Sequence, residues 1–136
     1  MIFSFEINEK PIGKERPRVN TKTGKVYTPT KTSSFEDKVK WAFRSKYNID
    51  MEPSTEPFKA LIIAEFEPPK SLSKKKKENL ILDGDYTKKP DVDNIAKIIL
   101  DSLNGLAYKD DSQVINLEVI KRYSDENMVI VRLEEM

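Results

Sequence analysis

The run Phe58-Lys-Ala-Leu-Ile-Ile-Ala-Glu-Phe-Glu67 constrains the fold of this chain more than any other stretch. Its aliphatic centre is most simply a buried strand, and Pro68-Pro69 ends it, because proline has no amide hydrogen to give to a sheet ladder. Aromatic and β-branched residues at Ile2, Phe3, Phe5 and Ile7 mark a short strand at the N-terminus. Val114 to Tyr123 and Met128 to Leu133 alternate as two further strands, and the turn at Ser124 to Asn127 makes an antiparallel hairpin their expected pairing.

Helical periodicity fills the intervals. Thr32 or Ser33 is placed to cap a helix through Tyr47, with Phe35, Val39, Ala42, Phe43 and Tyr47 near one face and Trp41 packed against the helix surroundings. A polar connection, Asn48 to Pro57, leads into the buried strand, and Ser71 to Leu82 reads as a short, very basic helix. A further helix is expected from Asp91 to Asn104, with Val92, Ile95, Ala96, Ile99 and Leu103 as its apolar stripe and Gly105 at the C-terminal cap. On another face Asp93, Lys97 and Asp101 follow one another at i, i+4 spacing, which separates the charged face from the core face. Lys10 to Lys31 carries Pro11, Gly13, Pro17, Gly24 and Pro29 and is expected to be loop or irregular hairpin. Together these elements predict one α+β domain over residues 1–136, a small mixed β-sheet packed with helices.

The chain has no cysteine and no histidine. Disulfides, thiolate zinc sites, cysteine nucleophiles and imidazole triads are thereby excluded, and acid–base work falls to carboxylate, lysine, tyrosine or metal-bound water. Neither a signal-peptide run nor a span of apolar residues long enough for a bilayer is present, so a cytoplasmic location is expected. The net charge of +1 conceals segregation. Lys10, Lys14, Arg16, Arg18, Lys22, Lys25 and Lys31 make the first third basic, Lys70, Lys74 to Lys77, Lys88 and Lys89 form a second basic block, and aspartates concentrate between Asp91 and Asp111. A basic surface beside an acidic pocket suits an enzyme that holds a polyanion and presents carboxylates to a divalent cation.

Asp91 and Asp93 flank a helix entrance, where exposed amides and the helix dipole favour negative charge. Alone, this pattern also suits capping. Asp111 is expected to return beside them after the turn through Leu106 to Tyr108, giving oxygen ligands suited to Mg2+ or Mn2+. An EF-hand requires glycine at position six and glutamate at twelve, and counting from Asp91 gives Ala96 and Ser102. Lys97, one turn beyond Asp93, could face a phosphate oxygen or simply form an ion pair with Asp93 or Asp101; Asp101 and Asp110 are candidates for assistance. Lys14, Arg16 and Arg18, in a proline-extended segment, and Lys74, Lys75, Lys76 and Lys77 are the candidate DNA contacts. Tyr27, Tyr86 and Tyr108 could stack on bases or pack half-buried, and no base contact is assigned to them.

Lys14-Glu-Arg-Pro-Arg18, Tyr27-Thr-Pro-Thr-Lys31, Pro90-Asp-Val-Asp-Asn-Ile-Ala-Lys97, Leu100-Asp-Ser-Leu-Asn104 and Tyr108-Lys-Asp-Asp-Ser-Gln113 occur in that order. In this the chain resembles the RusA family of Holliday-junction resolvases over nearly its whole length. The resemblance implies a homodimeric, Mg2+-dependent nuclease that binds four-way DNA junctions and makes paired nicks. It also implies that Asp91, Asp93 and Asp111 are catalytic carboxylates and Lys97 a catalytic lysine. Two other readings of the residues stay open: a catalytically inactive nucleic-acid-binding module, and a metal-dependent phosphohydrolase of small nucleotides.

Overall fold

The computed structural model describes residues 1–47 and 50–136; Asn48 and Ile49, at the start of the expected polar connection, lie outside the described residues. The elements in chain order are β1 (Ile2–Ile7), β2 (Arg18–Val19), β3 (Val26–Tyr27), α1 (Thr30–Lys46), β4 (Phe58–Phe66), α2 (Lys74–Asp83), α3 (Val92–Ser102), the 3-10 turn η1 (Asp111–Gln113), β5 (Val114–Tyr123) and β6 (Met128–Glu135). The α+β class expected from the sequence is the observed one.

Four strands form one mixed sheet in the order β1-β6-β4-β5, and β2 and β3 pair as the small irregular hairpin of the basic loop. The expected β5–β6 hairpin is overturned. β4 lies between them, parallel to β5 and antiparallel to β6. The Ser124–Asn127 connection passes over the end of β4, with the Ser124 amide donating to the Phe66 carbonyl and the Glu67 amide to Asn127 Oδ1. The physical reason is burial: Phe58, Ala60, Ile62, Ala64 and Phe66 are all at most 1% exposed, and a strand so apolar takes a central position.

One sheet face is covered. Phe35, Val39 and Phe43 of α1 pack with Phe3 and Phe5, while Ile95, Ile98 and Ile99 of α3 join Phe58, Tyr108 and the β6 side chains Val129, Val131 and Leu133 in the same core. α1 starts earlier than expected, at Thr30, with Pro29 in the cap position, which leaves Thr32 buried within the helix. Trp41 does not pack: it is 72% exposed. Val92 is exposed too, because it begins α3 beyond the sheet, and Ile98 and Leu100 are buried with the expected stripe.

α2 stands off this core with no buried residue. Ser73 caps its start by accepting from the Lys76 amide, and Gly84 ends it in the left-handed conformation (φ 80°) that a side chain would strain. Tyr86 then stacks on Phe66 with ring centroids 3.7 Å apart and meets Tyr123 edge-on, fixing the segment that delivers the chain to α3.

Candidate active site

Asp91 occupies the cap position of α3, yet its side chain makes no capping hydrogen bond. Both carboxylate oxygens instead accept from Lys89 Nζ, at 2.9 and 2.8 Å. That hydrogen bond, with the nearby charges of Lys89 and Lys121, holds the Asp91 carboxyl below its usual range. Asp93 follows in the exposed first turn and forms no ion pair among the described residues. Side-chain capping therefore does not account for Asp91, which is engaged by Lys89, while Asp93 stands in the first turn, where the helix dipole favours an acid.

Lys121, beside the candidate site, is a residue that the sequence did not single out. It stands on β5 at the parity of Leu117, Val119 and Tyr123, in register with buried Ala64, so it points to the helix side of the sheet. Its ammonium donates to the carbonyls of Lys88 (2.7 Å) and Pro90 (3.0 Å), pinning the entry to α3. A lysine at the parity of Ile115, Leu117, Val119 and Tyr123 was the available signal.

At the other end of the face, η1 separates the roles of two adjacent aspartates. Asp110 accepts from the Ser112 amide (3.1 Å), and Gln113 reaches back to the Asp110 amide, completing a capping box. Asp111 is left free of that duty. Burial, followed by the negative charges of Asp101 and Asp110, raises its pKa. Tyr108 is not a base-stacking residue: it is wholly buried, its hydroxyl donates to the Leu100 carbonyl at 2.7 Å, and burial beside Asp111 and Asp101 pushes its pKa far up.

Lys14 also departs from its expected place on the DNA-contact surface. Its ammonium sits 2.8 Å from Glu36 and 3.8 Å from Asp101, with only 17% of the side chain exposed. The Lys14 amide donates to the Asn94 carbonyl (2.9 Å), so the basic loop is fastened onto α3. Gly13 permits this approach: a Cβ there would stand 2.8 Å from Asn94 Cβ. The loop and α3 enclose a cleft of about 400 Å³ whose walls include Lys10, Gly13, Lys14, Lys31, Lys89 and Asp91. A larger groove, about 540 Å³, runs between β1 and α1 beside Trp41 and touches none of the expected site residues. Arg16 and Arg18 are exposed, Arg18 in contact with Glu15 at 3.3 Å, and Lys74, Lys75 and Lys76 are exposed on α2 with Lys77 half-buried.

The structure thus gathers Asp101, Asp111, Lys14 and Lys97 at one end of the α3 face, with Asp91, Asp93 and Lys89 at the other. The backbones of Asp93 and Asp101 are about 12 Å apart along a helix rising ~1.5 Å per residue. Carboxylate oxygens are the donors a hard divalent cation takes, so the acids suit Mg2+ or Mn2+ in kind. Among the described residues no group of three or more is gathered closely enough to hold an ion. No helix among them is long and apolar enough to cross a membrane.

A curated protein of Bacillus subtilis (strain 168), described as the uncharacterized protein YqaN, is 36% identical over 140 residues, covering 98% of this chain and 96% of the relative. The family model described as endodeoxyribonuclease RusA matches residues 8–134, which include every acidic and basic residue discussed above. The chain belongs to the RusA endodeoxyribonuclease family.

Proposed function

We propose that this protein is a Mg2+-dependent endodeoxyribonuclease, with Mn2+ able to substitute, that resolves four-way DNA junctions by paired symmetric nicks in recombination and repair. One observation carries the reading: the match to an endodeoxyribonuclease family runs through Asp91, Asp93, Lys97 and Asp111, and these stand on the α3 face and the adjoining η1 rather than in the core.

The chemistry is hydrolysis of a phosphodiester. Water adds to phosphorus, the bond to the 3′ oxygen breaks, and that oxygen takes a proton, leaving a 5′ phosphate and a 3′ hydroxyl that a ligase can rejoin. To share one cation, Asp91, Asp93 and Asp111 would have to be drawn together from the two ends of the α3 face; the ion would then supply Lewis acidity and lower the pKa of bound water. Lys97 offsets the negative charge that grows on the phosphoryl oxygens, and its side chain is 62% exposed. Lys10, Lys31 and Lys89 around the cleft attract the flanking phosphates, while Arg16, Arg18 and the α2 lysines reach the DNA arms.

Two opposed cuts call for two active centres, and a homodimer supplies them. β5 supports this: it is the outer strand of the sheet, its outer edge is met at Arg122 and Tyr123 by Asp85 and Gly84, and nearer its start Ile115 is 65% and Leu117 44% exposed, a surface suited to a second copy. Sedimentation with junction bound is expected to show a dimer, and a monomer under those conditions would contradict this part of the reading.

The activity test is incubation of a synthetic mobile four-way junction and a matched linear duplex with Mg2+ or chelator. Symmetric, Mg2+-dependent nicks in the branched substrate are the expected result. Equal cutting of the duplex would remove the junction preference, and no cutting of either would reduce the protein to a binding module.

A further inference from the structure

Lys97 has two carboxylates within reach on its own helix, Asp93 four residues before it and Asp101 four residues after. On intrinsic grounds the acid that precedes the lysine is the better partner, because that orientation agrees with the helix dipole. The structure shows the opposite choice. Lys97 Nζ lies 3.8 Å from Asp101 Oδ2, and Asp93 has no ion pair among the described residues. A tertiary arrangement overrides the local preference: Asp101 has only 23% of its side chain exposed, so water screens its attraction for the ammonium less than it screens that of exposed Asp93.

Asp101 also receives Lys14, at 3.8 Å, but the basic loop does not depend on that contact. Lys14 keeps Glu36 at 2.8 Å, and its amide keeps the Asn94 carbonyl at 2.9 Å. Lys97 has no second ion pair among the described residues, so the loss of Asp101 would fall on Lys97.

From this geometry we propose that Asp101 is a positioning residue that draws Lys97 toward the C-terminal half of α3 and away from Asp93. Two consequences follow for the proposed reaction, on which the catalytic meaning of this inference rests. The lysine stands where the charge of the reacting phosphate is to be offset, and Asp93 stays clear of an internal counter-ion that would compete with a ligand. Asp101 itself need not touch substrate.

The test is a double-mutant cycle with Asp101→Asn, Lys97→Met and the pair, read as single-turnover nicking at saturating junction, with junction Kd and Tm alongside. Asp101→Asn is expected to slow nicking by on the order of tenfold, to leave Kd within about twofold, and to add nothing in the Lys97→Met background. Asp101→Glu, which keeps the charge, is expected to recover part of the rate. Additive losses in the double variant, or an unchanged rate for Asp101→Asn, would overturn the inference.

A readout independent of activity separates this failure from failure of the nuclease reading. In protein carrying 13C-methylated lysines, Asp101→Asn is expected to shift the Lys97 and Lys14 resonances and leave those of Lys74 to Lys77 in place. If wild-type protein nicks no junction yet these shifts occur, the nuclease assignment fails and the positioning contact stands. If Lys97 does not move, the positioning contact fails whatever the activity.

Discussion

Replacing Gly13 by alanine tests whether the basic loop is docked on α3 as tightly as the structure shows. A Cβ at this position would lie 2.8 Å from Asn94 Cβ and 3.1 Å from Pro90 Cβ, and neither neighbour is the free end of a flexible side chain. Overpacking of this kind costs about 1–3 kcal/mol. Working against it, Gly13 is not among the glycines with positive φ, so alanine suits the backbone and restricts the unfolded chain, which stabilises by about 0.4–1 kcal/mol. The net expectation is a loss of about 1–2 kcal/mol. With ~2.1 cal/mol/K of unfolding entropy per residue, that lowers Tm by roughly 3–7 °C for a chain of this size. Thermal and urea unfolding measure the loss, and faster exchange of the Lys14 amide, which donates to Asn94, locates it. The sign is decisive: a Tm equal to or above that of the wild type would refute the close approach of loop and helix.

Other variants probe the remaining parts. Because the folded-state pKa of Asp111 is raised, the folded protein holds that proton more tightly than the unfolded chain, and ionisation destabilises it at neutral pH. Asp111→Asn should therefore raise Tm at pH 7, with the gain shrinking as pH falls through the Asp111 pKa and vanishing below the ordinary value of ~3.9; a lowered Tm would contradict the crowding of Asp111 by Asp101. Lys121→Met, which removes the donors to the Lys88 and Pro90 carbonyls, is expected to slow nicking by about tenfold while changing junction affinity little, and an unaffected rate would remove Lys121 from the site. Replacing Lys74, Lys75, Lys76 and Lys77 together by glutamine should make the slope of log K against log salt shallower by up to ~3–4, if each meets a phosphate. An unchanged slope would take α2 off the DNA.

What the sequence made legible was local. α3, its stop near Gly105, the β4 run with its Pro68-Pro69 terminus and the looped character of Lys10 to Lys31 are written in periodicity and turn chemistry. Strand pairing is not local, and the insertion of β4 between β5 and β6 follows from competition for the centre of the sheet, which a short turn between two strands does not reveal. The same limit applies to side chains. Lys14 looks like any exposed lysine of a basic segment until Glu36, from a different element, is found 2.8 Å away. The apolar ring of Trp41 suggests packing against the surroundings of its helix, but its position on α1 faces outward. The acidic residues were identifiable as a set, whereas their grouping, with Asp111 beside Asp101 and Asp110 committed to a capping box, depends on how η1 closes against the end of α3.

The central claim, that acids from both ends of the α3 face serve one divalent cation, is tested most directly by titrating Mn2+ into wild type, Asp93→Asn and Asp111→Asn and following free Mn2+ by electron paramagnetic resonance. If one ion is shared, each substitution alone will weaken binding by at least tenfold, about 1.4 kcal/mol. Wild-type affinity in Asp111→Asn, with loss confined to Asp93→Asn, would contradict the claim and leave the two acidic groups as unconnected features of the same helix.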